Sequence, residues 1–183
     1  REIVLSLRNF SRLDEAEMKR VDIHEGIDSN LLILKHRLKA NEKRPAIEVI
    51  KNYGDLPKID CFLGQLNQVF MNIIANAIDA LDESNIGLSF AEIEVNPNRI
   101  KITTSVENQG VKITICDNGH GMNEEVKAKI FDNLFTTKDV GKGTGLGLAI
   151  ARQIVVKKHD GEIHVNSRLG EGTEFIITLP KSA

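Results

Sequence analysis

The chain has 183 residues, 41% hydrophobic and 27% charged, with a net charge of −2. That suits one folded domain with a real core and a short appended element. The near-neutral balance, the lack of Trp and the single Tyr supply no basic or base-stacking surface for nucleic acid and nothing to hold an anionic membrane. No apolar run approaches membrane-spanning length and no signal peptide is recognised. Cys61 and Cys116 form no CxxC pair and sit beside apolar residues. They are expected to be buried free thiols in a reducing compartment. The expectation is therefore a cytoplasmic domain without membrane contact, whose full-length protein is free to be membrane-anchored.

Over residues 1–19, Ile3, Val4, Leu7, Phe10 and Leu13 recur at helical spacing. The chain opens on Arg1 inside this pattern, so a fragment of a longer protein is expected. A short strand Val21–Ile23 follows, then a helix over 24–39 with Ile27, Leu31, Leu32, Leu34 and Leu38 inward. Residues 46–50 alternate as a strand and 57–60 form a short extended piece. The spacing of Phe62, Leu66, Val69, Phe70, Ile73, Ala77 and Leu81 predicts a long helix over 61–83. Residues 84–98 read as a loop with room for a brief extended piece. Strands 100–106 and 111–116 flank the hairpin turn Glu107-Asn108-Gln109-Gly110. A short helix 124–130, an irregular stretch 131–143, a helix 146–158 and strands 162–167 and 173–179 complete the chain. Helices mixed with mostly hairpin-linked strands predict an α+β fold, a two-layer sandwich of one mixed sheet with helices on one face.

Five stretches carry chemistry. In Gly141-Lys142-Gly143-Thr144-Gly145-Leu146-Gly147-Leu148, alternating glycines run into a helix start. Close backbone approach and unpaired N–H groups with a partial positive charge suit phosphate oxygens. A flexible loop ahead of a helix is the plain alternative. The stretch is neither a P-loop nor a clear dinucleotide fingerprint. On the long helix, Asn72 and Asn76 share a face with Asp79 and Glu83, opposite the apolar stripe. An amide oxygen there is a neutral ligand for Mg²⁺ beside phosphates, and a solvated face is the alternative. Asp117, at a strand end, opens Asp117-Asn118-Gly119-His120-Gly121. It is placed to accept a hydrogen bond from an exocyclic amine, with Gly119 and Gly121 packed against a flat ring; a common turn is the alternative. Phe131 and Phe135 precede Lys138, a cation for phosphate, with an ordinary apolar-anchored loop as the alternative; Gly170-Glu171-Gly172-Thr173 joins the last strands and taken alone reads as a bare hairpin.

The order and spacing of these five stretches resemble the asparagine, glycine and phenylalanine boxes of sensor histidine kinases. Their ATP-binding fold is shared with gyrase, MutL-type proteins and a chaperone ATPase. The resemblance covers about residues 20–180. It implies a catalytic domain over 20–183 preceded by the end of a dimerisation helix over 1–19. It implies that Asn76 ligates Mg²⁺ and that Asn72 stands where gyrase-like relatives carry a catalytic glutamate. An amide cannot act as that base, which favours phosphoryl transfer over hydrolysis. It implies that Asp117 reads adenine with support from Thr173, and that Gly119 and Gly121 shape the adenine end. Gly143, Gly145 and Gly147, with Thr144, Leu146 and Leu148, would meet the phosphates, and Lys138 and Lys142 would reach toward them. The stretch 123–142 would be a lid anchored by Phe131 and Phe135. Asp79 departs from the Lys or Arg that many family members carry there.

The family phosphorylates a histidine on an upstream helix. His24-Glu25 lacks the following Arg and Pro, so His24 reads as a residue near a helix start, with the acceptor outside the chain. The implied partners are a phosphoacceptor helix of the same or a partner subunit and a response-regulator receiver domain, in a homodimeric full-length protein. A gyrase- or MutL-like ATPase, a nucleotide-binding pseudokinase and an anti-sigma-type serine kinase are the competing readings.

Overall fold

A computed structural model describes residues 17–132 and 147–181. The helix expected over 1–19 lies outside the described residues except at its end. There Glu17 and Met18 are not helical, and Lys19 opens a strand.

Seven strands and six α-helices follow among the described residues. The strands are β1 (Lys19–Val21), β2 (Glu48–Asn52), β3 (Ile59–Cys61), β4 (Arg99–Glu107), β5 (Gly110–Asp117), β6 (Glu162–Arg168) and β7 (Gly172–Leu179). The helices are α1 (Ile23–Ile33), α2 (Lys35–Leu38), α3 (Leu63–Ser84), α4 (Phe90–Val95), α5 (Glu124–Lys129) and α6 (Gly147–Gln153), the last continued by a π-helical turn, Ile154–Lys158. Five strands form one sheet in the order β2-β4-β5-β7-β6. β2 runs parallel to β4 and the remaining neighbours are antiparallel. This is the expected mixed sheet. β1 and β3 form a separate antiparallel ribbon in which Arg20 meets Asp60 at 3.2 Å.

Strand alternation decides which face of the sheet is covered. On β4 and β5, Ile100, Ile102, Val111, Ile113 and Ile115 are buried, whereas Arg99, Lys101 and Ser105 are exposed. One face therefore faces the helices and the other faces water, as period-two patterning requires. The hairpin between the two strands turns through Asn108 and Gln109, at φ 49° and 66°. A two-residue turn with both φ values positive matches the natural strand twist. The long helix α3 lies across the covered face. Leu66, Val69, Phe70, Ile73, Ile74, Ile78 and Leu81 are completely buried along it. Each is worth roughly 1.5–3 kcal/mol of burial. α1 and α6 pack against the same helix. Cys61 is fully buried and Cys116 half-buried, both as free thiols. Burial beside Asp60 pushes the Cys61 thiol up to about 12.

Four local expectations are corrected. The first strand ends at Val21 because Asp22 takes the N-cap of α1. Its carboxylate accepts the His24 N–H at 3.0 Å, making Ile23 helical and buried. The helix expected over 24–39 breaks at Leu34 into α1 and α2. The loop 84–98 contains helix α4, started by a capping box: the Ser89 hydroxyl accepts the Glu92 N–H, and the Ser89 N–H donates to the Glu92 carboxylate, each at 3.1 Å. That Ser-x-x-Glu signature was present in the sequence. The helix expected over 146–158 changes to π geometry after Gln153. No helix among the described residues is long and apolar enough to cross a membrane.

Candidate functional site

β5 ends at Asp117, and strand alternation turns this residue toward the helices. Its register partner is Thr173 on β7. Asp117 is only 4% exposed, and its Oδ1 accepts the Gly119 N–H at 2.9 Å. Burial pushes the carboxyl up from 3.8 to about 6, against the pull of the Gly119 and Thr173 N–H groups and of His120. At neutral pH the group is a largely ionised, buried acceptor. Such a group recognises a donor such as an exocyclic amine.

The loop after Asp117 is fixed from three directions. Gly119 passes so close to the long helix that a Cβ there would lie 2.9 Å from Asp117 Oδ1 and 3.2 Å from the Ala80 carbonyl oxygen. Gly121 has φ +72°, and a Cβ would overlap the Arg168 carbonyl. Two residues that the sequence reading left without a role tie the loop down. The Ser167 hydroxyl accepts the Met122 N–H at 2.8 Å, donates to the Gly172 carbonyl at 2.9 Å and lies 2.9 Å from Thr173 Oγ1. Asn118 accepts the Arg99 N–H at 2.7 Å and donates to the Pro97 carbonyl at 3.0 Å. Ser167 gave no sequence signal because its partners are more than 40 residues away or reached through a hairpin. Asn118 sat inside a recognised loop, but its bonds run to the start of β4.

Across from this loop is the polar face of α3. Asn72 donates its Nδ2 to the Gly147 carbonyl at 2.9 Å, holding the start of α6 against the long helix. Gly147 packs there without steric demand, since an added Cβ would meet Asn72 only at ordinary contact distance, 3.6 Å. Leu148, the next residue of α6, is partly buried and packs on the core. Asn76, one turn after Asn72, is half-buried, and its amide has no hydrogen-bond partner among the described residues. Asp79 accepts a hydrogen bond from Arg37 at 2.7 Å. His24 is occupied elsewhere: its ring stacks on Tyr53 at 4.1 Å and its Nε2 meets Thr104 Oγ1 at 2.8 Å. Phe131 packs edge-on to Phe175 with centroids 6.3 Å apart. Phe135, Lys138, Lys142, Gly143, Thr144, Gly145 and Leu146 lie outside the described residues.

The donor set can be tested against a divalent ion. No cluster of three His, Cys, Asp or Glu side chains able to hold a metal occurs among the described residues. A free amide oxygen at Asn76 is the kind of single, neutral ligand that Mg²⁺ takes when phosphates and waters supply the rest. The residues present fit that ion when it arrives with a nucleotide.

The comparison with known families decides the matter. Residues 63–183 match the family described as histidine kinase-, DNA gyrase B-, and HSP90-like ATPase. The chain belongs to this family. It is similar to sensor kinase CckA of Brucella abortus, at 35% identity over 98% of this chain and 19% of that protein. Sensor histidine kinase ZraS of Escherichia coli is 31% identical over 97% of this chain and 34% of that protein. Among solved structures, the nucleotide-free catalytic domain of histidine kinase ThkA matches with a TM-score of 0.72 and 27% identity, covering 91% of this chain and 97% of that one. Full-length ShkA in complex with AMPPNP matches with a TM-score of 0.71 and 25% identity, over 97% of this chain and 35% of that one. The chain is thus a histidine-kinase-type catalytic, ATP-binding domain, spanning about a fifth to a third of the length of these two curated relatives.

Proposed function

We propose that this domain binds Mg·ATP between the Asp117 loop and the polar face of α3. It then donates the γ-phosphoryl group to a histidine on a helical domain outside these 183 residues. Relay to a response-regulator aspartate, in a homodimeric full-length protein, would follow. The observation that carries the reading is the buried carboxylate of Asp117, held by Gly119 and facing a helix whose Asn76 amide is uncommitted. In this reading Asp117 accepts from the adenine amino group. Thr173 and Ser167 keep that end rigid, and Gly119 and Gly121 let the loop lie flat along the base. Asn76 would hold Mg²⁺, which would supply positive charge against the phosphates. Gly143, Thr144, Gly145, Leu146, Gly147 and Leu148 would lie along the phosphates, with Lys138 and Lys142 as mobile cations.

The chemistry asked of the protein is positioning and charge neutralisation, with little covalent work. Asn72 is engaged with the Gly147 carbonyl, and an amide is no base. That supports transfer over hydrolysis and weighs against a gyrase-like ATPase. Calorimetry of Mg·ATP with wild type and Asp117→Asn tests the site. A loss on the order of 2–4 kcal/mol is expected for a buried hydrogen bond to a charged group. Unchanged binding would remove the adenine assignment. Phosphoryl transfer from ATP to a separately supplied phosphoacceptor domain, with slow steady-state hydrolysis alone, tests the reaction class.

A further inference from the structure

Helix α3 carries no Lys or Arg along its 22 residues, yet it bears Asp79, Asp82 and Glu83 on or beside the face that presents Asn76. A polyphosphate approaching Asn76 therefore meets a wall whose own charges are all negative. Cations reach this wall from another part of the chain. Arg37, on the short helix α2, donates Nη2 to Asp79 Oδ1 at 2.7 Å and lies 3.9 Å from Asp82 Oδ2. Asp79 is three residues from Asn76, the spacing that makes helix neighbours. The second cation, Arg44, has a side chain only 3% exposed. Its donors are spent on Asp82 and on the carbonyls of Arg37, Lys39 and Pro45.

The two arginines do different work. Arg44 is buried and fixes the turn that follows α2, gripping the Arg37 carbonyl at 2.6 Å. Arg37 is thereby held at both ends, by its backbone through Arg44 and by its guanidinium through Asp79. About a third of its side chain remains exposed. Its Nε and Nη1 make no hydrogen bond among the described residues. A guanidinium that is anchored through one nitrogen and keeps further donors in a fixed fork is suited to phosphate oxygens. An isolated surface ion pair would contribute little stability and would not need a buried arginine to orient it.

We infer that Arg37 is a phosphate-binding residue of the nucleotide site, with Asp79 as its anchor and Arg44 as the support that positions it. This inference rests on the nucleotide-site reading proposed above. Arg37 supplies, at Asp79 one helical turn beyond Asn76, the partly exposed positive charge that α3 itself lacks. It also pairs with Asp79, so its removal deletes a cation and takes away one of the partners of that carboxylate.

The test is a series of ligands with shrinking phosphate chains. Affinities of ATP, ADP and adenosine are measured by calorimetry or NMR titration for wild type, Arg37→Ala, Arg37→Lys and the double variant Arg37→Ala/Asp79→Asn, with thermal melting as a fold control. Arg37→Ala is expected to weaken ATP tenfold or more and ADP less, leaving adenosine within about twofold. Arg37→Lys should retain part of the affinity, and the double variant should recover part of the loss. If adenosine, ADP and ATP weaken together, or if none weakens, Arg37 is a structural residue and the inference fails. If wild type binds none of the three, the nucleotide-site reading itself fails.

Discussion

At the residue scale, Asp117 is where function and stability pull in opposite directions. Its carboxyl lies near 6 in the folded chain against an ordinary 3.8. A raised folded-state value means that the folded chain prefers the protonated form. The stability this group contributes is present below about pH 4 and is lost as pH rises through about 6. At neutral pH the unliganded fold carries a penalty on the order of 2–3 kcal/mol for keeping the buried charge. Adenine recognition needs that charge. Adenosine carries no titrating phosphate, so its affinity should rise several-fold from about pH 5 to about pH 7.5, read by NMR titration. A flat profile would mean that Asp117 does not meet the base. The same residue explains part of what was legible. Its place at the end of an alternating strand was readable, whereas its depth was not, because burial depends on Ala80 and Thr173, brought from distant stretches.

At the scale of elements, the long helix α3 is secured at its start by a histidine 97 positions away. The Phe62 N–H donates to His159 Nε2 at 3.0 Å, and His159 Nδ1 donates to the Ile154 carbonyl at 3.0 Å. These two bonds fix the neutral ring, and burial lowers its pKa below the ordinary histidine value. A depressed folded-state value gives the opposite sign to Asp117. The stability from His159 is present above the ordinary histidine range and is lost as pH falls through the folded value. His159→Gln should be less stable than wild type near pH 7.5, by about 1 kcal/mol or more. It should also lose less stability than wild type between about pH 7.5 and 5.5, as read from urea midpoints. Equal slopes in the two proteins would show that His159 does not titrate in this range. The π-helical turn at Ile154–Lys158 shares a carbonyl with this contact, and local hydropathy cannot report it. Helix α4 is the contrary case. Its capping box stood in the sequence, but the segment is short and leaves Phe90 and Val95 exposed, so no apolar stripe announced it.

At the scale of the whole molecule, one core serves both layers, with Phe70 among its largest fully buried side chains. Phe70→Ala should cost about 3–5 kcal/mol in urea unfolding. It should weaken nucleotide binding only as far as the population of folded protein falls. A selective loss of affinity at full folding would mean that α3 shifts within an intact domain. The expected layering held because burial periodicity on β4, β5 and α3 is a property of the chain itself.

What the sequence determined by itself was the order of the five sheet strands and the long helix, the buried stripe of α3, the hairpin at Asn108–Gln109 and the loop chemistry that pointed to a nucleotide. These are local features, set by side-chain period and turn geometry over a few residues. Only the tertiary structure decided that Asn72 is engaged with Gly147, that Ser167 joins two glycine loops, and that Arg37 lies against Asp79. Each of these pairs residues far apart in sequence or joins separate loops. The reason is that hydrogen bonds and ion pairs are short-ranged. Their partners are chosen by how helices pack on a sheet, and neighbouring residues along the chain carry no record of that choice.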